Sequence, residues 1–251
     1  GDAEDAAARA IMTTDTFPKH ALVRTESFAV GGITKGSGMI APNMGTMLAF
    51  LYTDAEVEGP VLQEILRQAA RRSFNRVVVD GDTSTNDVAL CTATGAAGNV
   101  DRDELAKAIE AVCRDLAVQI ARDGEGATKL LAVTVRGAPD EDAAAEVART
   151  IVASPLVKTA VYGEDPNWGR VVAAAGRAGV AFDPYAVSLR VGGTPLVLRG
   201  EIVADLVKAK DAMRGDTVAF DLDLSAGDGK ATAWGCDLTE KYVEINGKYT
   251  T

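Results

Sequence analysis

A hydroxyl side chain stands at the start of an apolar run in the segment "APNMGTMLAF", where Thr46 follows Gly45. A threonine hydroxyl is a poor nucleophile unless a neighbouring base removes its proton, and the usual base is histidine. The chain contains a single histidine, His20, so a Ser/His/Asp triad is disfavoured because only this residue could serve as its base. A threonine at a newly cut N-terminus needs no histidine, because its own α-amine, with a pKa of about 7.7–8.0, acts as the base.

Gly45 suits such a cut, because a residue without Cβ tolerates the strained backbone that lets the hydroxyl attack the preceding carbonyl. The residues alone also fit a plainer interpretation, in which Gly45 belongs to a turn and Thr46 is an ordinary β-branched strand residue. Residue types alone do not choose between a nucleophile and a turn.

Other polar, glycine-containing stretches suggest binding or turns. "TKGSGMIAPNMGT" offers backbone N–H groups that could cradle an anion, but it lacks the spacing of a nucleotide-binding P-loop. "VVVDGDTSTND" carries Asp80, Asp82 and Asp87, which either cap a solvated turn or bind Mg²⁺. "DGEGATK" places Glu125 between two glycines at the mouth of a strand, and "GEDPNWGR" is typical of a structural turn around Trp168.

Cysteine chemistry and metal binding are disfavoured by the cysteine pattern. Cys91, Cys113 and Cys236 are scattered, with no CxxC pair, which predicts no disulfide framework and fits a reducing cytoplasm. A thiol nucleophile would need a nearby histidine, and one histidine with separated cysteines does not make a zinc site. We expect neither a metal nor a cofactor.

The elements that must position these residues alternate between strands and helices. Leu105, Ile109, Val112, Leu116 and Ile120 form one apolar stripe, which predicts a long helix that ends near Gly124. Segments of the same chain predict a second helix with Pro60 in its first turn, a third helix in "DEDAAAEVARTIVAS", strands in "ALVRTESFAVGGI", "TMLAFLYTDA" and "TKLLAVTVRGA", and a helix in "EIVADLVKAKDAM". The fold class is α/β, with sheets packed by long helices. A weak seam at "GRAGVAFDP" suggests a nucleophile-containing core over residues 1–180 and a smaller C-terminal α/β lobe over 181–251.

Composition narrows the partners. The net charge is −10, from 26 basic and 36 acidic residues, and no Lys/Arg cluster appears, so a nucleic-acid partner is disfavoured. No apolar run approaches the ~20 residues of a membrane span. The acidic start "GDAEDAAARAIM" does not have the pattern of a signal peptide, so we expect a cytoplasmic protein.

Several long motifs in register carry a resemblance to a known family. "AIMTTDTFPK", "KGSGMIAPNMGTMLAFLYTDA", "FNRVVVDGDTSTND", "DGEGATK", "YGEDPNWGR" and "CDLTEKYVEINGKYTT" occur in this order. Together they closely resemble the ornithine acetyltransferase family, also called glutamate N-acetyltransferases, from about residue 8 to the C-terminus. Clavulanate-pathway relatives share the pattern, so a specialised paralogue is an alternative.

The resemblance implies an N-terminal-nucleophile enzyme of arginine biosynthesis with αββα-like layers, which cuts its own precursor at the Gly45–Thr46 bond. Acetyl then passes from N-acetylornithine to glutamate by a ping-pong route through acetyl-Thr46. The matched motifs also imply that substrate contacts come from five further residues: Thr13, Lys35, Glu125, Asn246 and Thr251. A lysine and hydroxyls suit the substrate carboxylate, and Glu125 suits its ammonium.

Two departures from the family pattern stand out. The residue before the nucleophile is usually alanine, and here it is Gly45. The family also has a long upstream portion that supplies a Thr-Gly pair for the oxyanion hole, and no stretch here replaces it. We therefore expect the upstream chain as a partner, in an α2β2 assembly of cleaved halves. An N-terminal-threonine amidohydrolase or peptidase, and a non-catalytic binding protein on the same scaffold, are the alternatives.

Overall fold

The computed structural model describes residues 2–41, 47–83 and 86–248, and they divide into two compact units, Gly1–Gly124 and Glu125–Thr251. The expected boundary near residue 180 lies inside the second unit. Strands from residues 181–251 pair with a strand at 130–138, so the C-terminal residues share a sheet with residues that precede them. No helix among the described residues is long and apolar enough to cross a membrane.

The first unit contains a mixed sheet with helices packed against it. Its elements in chain order are α1 Asp2–Ala10, β1 Lys19–Arg24, β2 Ala29–Lys35, β3 Leu48–Glu56, α2 Gly59–Arg72, a 3-10 turn at Phe74–Arg76, β4 Val77–Val78, β5 Val88–Asn99 and α3 Arg102–Arg122. The sheet order is β1-β2-β3-β5, in which β1, β2 and β3 are antiparallel neighbours and β5 runs parallel to β3.

Helix α3 confirms the predicted apolar stripe, and all five stripe residues are almost fully buried. The helix packs on β1 and β2. A Cβ at Gly32 of β2 would lie 3.1 Å from the side chains of both Val112 and Leu116, so glycine permits the close approach of helix and sheet. The helix ends at Arg122, and Asp123 follows it as the C-cap residue.

The predicted strands and helices around α3 are also confirmed. The segment "ALVRTESFAVGGI" forms the hairpin β1–β2, and Pro60 lies in the first turn of α2. Strand β5 is not predicted by the sequence, because its alanines and glycines have low strand propensity. Its parallel pairing with β3, from Leu48 opposite Val88 onward, supplies the order that propensity does not.

The second unit is built around β6. Its elements are β6 Leu130–Ala138, α4 Glu141–Val152, α5 Pro155–Tyr162, α6 Trp168–Ala175, β7 Ser188–Val191, β8 Thr194–Leu198, β9 Glu201–Ile202, α7 Leu206–Asp211, β10 Thr217–Asp223, β11 Gly229–Cys236 and α8 Glu240–Lys248. Strand order within the unit is β11-β6-β10-β7-β8-β9, and α4 packs its buried face on β6 and β11. The predicted helix in "EIVADLVKAKDAM" is shorter than expected, since Glu201–Ile202 form β9.

Candidate active site

The loop between β2 and β3 holds the centre of the predicted site. Lys35 is the last residue of β2, and it pairs in register with Leu48, the first residue of β3. Gly45 and Thr46, the predicted cleavage site and nucleophile, lie outside the described residues, as does Thr251. The pairing therefore places Lys35 beside the strand that follows Thr46 in the sequence.

Lys35 is a buried cation with an incomplete set of partners. Its residue exposure is 7%, and its Nζ donates a long hydrogen bond of 3.5 Å to the Thr13 hydroxyl. In the part of the chain that the structure describes, no carboxylate oxygen lies within 4.0 Å of this Nζ. Burying an ammonium with so few partners among the described residues is costly, so the position favours an anionic ligand. The structure thus brings together two predicted substrate contacts, Thr13 and Lys35.

A buried ion network lies behind Thr13 and Lys35. The Lys19 ammonium, with a fully buried side chain, donates to Asp15 Oδ1 at 2.6 Å and to Asp123. Asp15 also accepts the backbone N–H groups of Thr13 at 3.1 Å and Gly36 at 2.7 Å. One carboxylate therefore links the backbone of Thr13 to the residue that follows Lys35.

The network also sets the charge of Asp15. Burial by itself would raise the pKa of Asp15, but the Gly36 N–H, the Lys19 ammonium and the Thr13 N–H outweigh it, and the pKa is lowered. The side chain is therefore a carboxylate that holds backbone donors in place. Sequence reasoning missed this role. Asp15 and Lys19 stand in "MTTDTFPK", yet nothing local shows that they are buried.

The aspartates of "VVVDGDTSTND" contact the chain on both sides of residues 42–46. Asp80 accepts the N–H groups of Met39 at 2.6 Å and Ile40 at 3.0 Å. Asp87 accepts the N–H of Met47 at 3.0 Å. Among the described residues, no group of three or more His, Cys, Asp or Glu side chains is arranged to hold a metal ion. Of the two open interpretations, these contacts favour turn-type capping of backbone donors.

Both carboxyls are perturbed by their surroundings. Burial raises the pKa of Asp80, against the opposing effect of the N–H bonds from Met39, Asp82 and Ile40. Burial likewise raises the pKa of Asp87, and the Met47 N–H and the charge of Lys35 oppose it. Because the charge of Lys35 acts on the pKa of Asp87, this carboxyl lies within electrostatic range of Lys35.

Glu125 and Asn246 meet in the second unit. Asn246 Nδ2, on α8, donates to Glu125 Oε2 at 2.9 Å and to the Tyr242 carbonyl at 3.1 Å. Among the described residues no other donor reaches the Glu125 carboxylate. The half-buried carboxylate therefore has one oxygen, Oε1, that no described donor contacts.

Close backbone contact holds Glu125 beside α8. The next residue, Gly126, has φ +72°, and a Cβ there would lie 2.6 Å from the Tyr242 backbone nitrogen. The Thr239 hydroxyl donates to the Gly126 carbonyl at 2.7 Å. The glycine is thus required by the approach of α8, in addition to the helix-stop role that the sequence suggested.

The structure gives no support to a cysteine thiol as the nucleophile. Burial raises the pKa of Cys91 to about 11 and raises the pKa of Cys113 further, which keeps both thiols protonated near neutral pH. His20 lies exposed on β1, and its backbone N–H contacts Gln119.

A solved structure with the same fold defines the class of the protein. The crystal structure of the arginine biosynthesis bifunctional protein argJ from Bacillus halodurans aligns with a TM-score of 0.76 and 41% sequence identity, over 78% of this chain and 96% of that chain. The expected α/β fold of the N-terminal-nucleophile type is thereby confirmed. A family model described as the ArgJ family matches residues 1–251. The chain belongs to the ArgJ family.

Two curated relatives show the extent of the similarity. The arginine biosynthesis bifunctional protein ArgJ of Symbiobacterium thermophilum is 52% identical over 98% of this chain and 64% of its own length. The glutamate N-acetyltransferase of Methanosarcina mazei is 50% identical over 98% of this chain and 65% of its own length. The chain therefore spans slightly less than two thirds of the relatives that it matches.

Proposed function

We propose that this chain forms the nucleophile-bearing part of a glutamate N-acetyltransferase of arginine biosynthesis. The observation that carries the proposal is the buried ammonium of Lys35, which contacts the Thr13 hydroxyl. The backbone of Lys35 pairs with Leu48, the first residue of the strand that follows Thr46 in the sequence. A buried cation fits a substrate with a carboxylate, as N-acetylornithine and glutamate both have. The relatives named for arginine biosynthesis and for glutamate N-acetyltransferase activity support the same assignment.

The proposed reaction uses Thr46 twice. First, the hydroxyl attacks the Gly45 carbonyl, and the peptide C–N bond breaks to give an ester on Oγ1 and a free α-amine. Water then hydrolyses this ester, which releases the Gly45 carboxylate and restores the threonine hydroxyl. This amine then takes the hydroxyl proton while Oγ1 attacks the acetyl carbonyl of N-acetylornithine. Ornithine leaves with the proton on its amine, and an acetyl-threonine ester remains. The amine of glutamate attacks the ester, forms N-acetylglutamate and returns the proton to the threonine hydroxyl.

Substrate recognition is assigned to the two groups of residues described above. Lys35 and Thr13 hold the carboxylate that both substrates share. Glu125, with Asn246 beside it, pairs with the substrate ammonium, and Thr251 completes the set by motif. Because the two substrates have the same α-amino-acid core, they can use the same contacts in turn, which suits a ping-pong transfer.

Cleavage and assembly form part of the proposal. The matched chain of the Bacillus halodurans structure is shorter than the present chain, since 96% of it covers only 78% of this one. A solved chain that begins at its own nucleophile, after cleavage, would be shorter than the present chain in this way. The upstream part of the polypeptide would supply the oxyanion-hole donors and stay bound after the cut, in an α2β2 assembly.

The test is the intact mass of the full-length polypeptide under denaturing conditions, with Thr46 and with Thr46→Ala. We expect two fragments that meet at Gly45–Thr46 in the first protein and one uncut chain in the second. Incubation with acetyl-labelled N-acetylornithine should then add one acetyl group to the Thr46 fragment, and glutamate should remove it as N-acetylglutamate. An uncut mass in both proteins would overturn the proposal, and release of free acetate without glutamate would favour a hydrolase.

A further inference from the structure

Two aspartates of one loop, Asp80 and Asp87, contact the backbone on either side of the predicted cleavage site, at residues 39–40 and at residue 47. At the upstream end, Asp80 accepts the N–H groups of Met39 and Ile40, and the Val79 N–H donates to the Ile40 carbonyl at 2.8 Å. At the downstream end, Asp87 Oδ1 accepts the N–H of Met47 at 3.0 Å. The Val88 N–H donates to the Met47 carbonyl at 3.1 Å. The Gly45–Thr46 bond lies between these two anchor points in the sequence.

The two carboxylates differ in how completely they are used. Both oxygens of Asp80 accept backbone donors. Oδ2 accepts the N–H of Met39, and Oδ1 accepts the N–H of Ile40 and, at 3.3 Å, the N–H of Asp82. Asp87 uses only Oδ1, and its Oδ2 is buried without a hydrogen-bond partner in the described part of the chain. A buried carboxylate oxygen without a hydrogen-bond partner lowers the stability of the folded state, so other contacts in the fold must offset this cost at Asp87.

We propose that Asp80 and Asp87 are positioning residues for the reactions of Thr46, and that they act on different steps. This inference rests on the proposed function. Attack of a hydroxyl on the adjacent carbonyl requires a narrow backbone geometry. Hydrogen bonds to Met39 and Ile40 on one side, and to Met47 on the other, limit the movement of the flanking backbone. After the cut, the contacts of Asp80 with Met39 and Ile40 are contacts with the released end, whereas Asp87 still accepts the N–H of Met47, the residue that follows Thr46 in the sequence.

The difference yields a specific prediction for the full-length polypeptide. Asp80→Ala should slow self-cleavage roughly tenfold or more, as expected for a small misplacement of reacting groups. Molecules of this variant that have been cut should still transfer acetyl at the wild-type rate. Asp87→Ala should slow both cleavage and transfer, and Asp87→Asn should recover most of each, because an amide oxygen can accept the Met47 N–H.

The experiment follows cleavage by intact mass over time and measures acetyl transfer per cut molecule with N-acetylornithine and glutamate. Asp82→Ala is the matched control, since it removes an exposed carboxylate from the same loop. We expect it to behave as wild type. Should an alanine variant fail to fold, Asp80→Glu and Asp87→Glu, which shift the carboxylate by one methylene, replace the alanine variants in the same assay.

The outcomes separate the inference from the function on which it rests. If the wild-type polypeptide is never cut, the proposed function fails. If wild type is cut and active while the Asp80 and Asp87 variants cleave as fast as Asp82→Ala, the positioning inference is overturned. Equal losses in cleavage and transfer for Asp80 and Asp87 variants would also overturn it, because a merely structural role would not separate the two steps.

Discussion

Replacing Lys19 with methionine should destabilise the first unit by about 3 kcal/mol, the lower end of the 3–5 kcal/mol expected when one partner of a buried ion pair is removed. The side chains of Lys19 and Asp15 are fully buried, and that of Asp123 is 2% exposed. Methionine keeps the apolar stem and removes the ammonium, so two carboxylates are left buried without their shared cation.

The lower end of that range follows from the remaining donors. Asp15 keeps the N–H groups of Thr13 and Gly36, and Asp123 keeps the N–H and hydroxyl of Thr16. Neither carboxylate therefore loses every partner. At about 2–4 °C per kcal/mol for a chain of this size, the melting temperature should fall by about 6–12 °C.

The assay is thermal unfolding followed by far-UV circular dichroism. Both tryptophans, Trp168 and Trp234, lie in the second unit, so fluorescence would report on the wrong part of the chain. The pKa of Asp15 is lowered in the folded state. Its ionised form therefore contributes stability above its ordinary pKa of about 3.9, and that contribution is lost as the pH falls through the lower folded value. The difference between wild type and variant should be full at pH 7 and smaller near pH 3.

The matched control is Arg9→Met, which removes an exposed i,i+4 pair with Asp5. Such pairs contribute at most about 0.5 kcal/mol, so its melting temperature should barely change. A loss below about 1 kcal/mol for Lys19→Met at pH 7 would refute the reasoning that the network is a buried, mutually dependent charge cluster.

Three further predictions concern other parts of the chain. Gly126→Ala should cost roughly 1–3 kcal/mol, because the residue has φ +72° and the added Cβ would collide with the Tyr242 backbone nitrogen; urea unfolding followed by tryptophan fluorescence measures it, and an unchanged midpoint would contradict it. Asp80→Asn should cost about 1–2 kcal/mol, because its amide would turn a donor toward a backbone N–H. Asp87→Asn should cost less, since Oδ2 has no described partner to lose. Thermal unfolding followed by far-UV circular dichroism measures both variants, and a larger loss of stability for Asp87→Asn than for Asp80→Asn would contradict these contacts. Cys91, with its pKa raised to about 11 by burial, should react with iodoacetamide about tenfold faster for each pH unit between 7 and 10; a rate that levels off near pH 9 would indicate an ordinary thiol.

Part of the candidate site could be proposed from the sequence because its signals are local. The glycine before Thr46 and the lone histidine point to an N-terminal threonine, and matched motifs point to Lys35, Thr13, Glu125 and Asn246. The structure brings Thr13 to Lys35 and Asn246 to Glu125.

The residues that support the site were not predictable in the same way. The two open interpretations of the aspartate loop could be weighed only once Asp80 and Asp87 were seen to bond the backbone at Met39, Ile40 and Met47. An aspartate in a turn has the same sequence signature whether it faces solvent or anchors a distant backbone segment.

By itself, the amino-acid sequence determined the α/β class, the long helix α3 and the chemistry available at Thr46, because periodicity and residue type act over a few neighbouring positions. Only the tertiary structure decided that Lys19 is paired with Asp123, which lies 104 residues away. It also decided that β5 joins β3, and that β10 and β11 flank β6 within one unit. The physical reason is that burial and strand pairing depend on which distant segments come into contact, and a local sequence pattern does not specify those contacts.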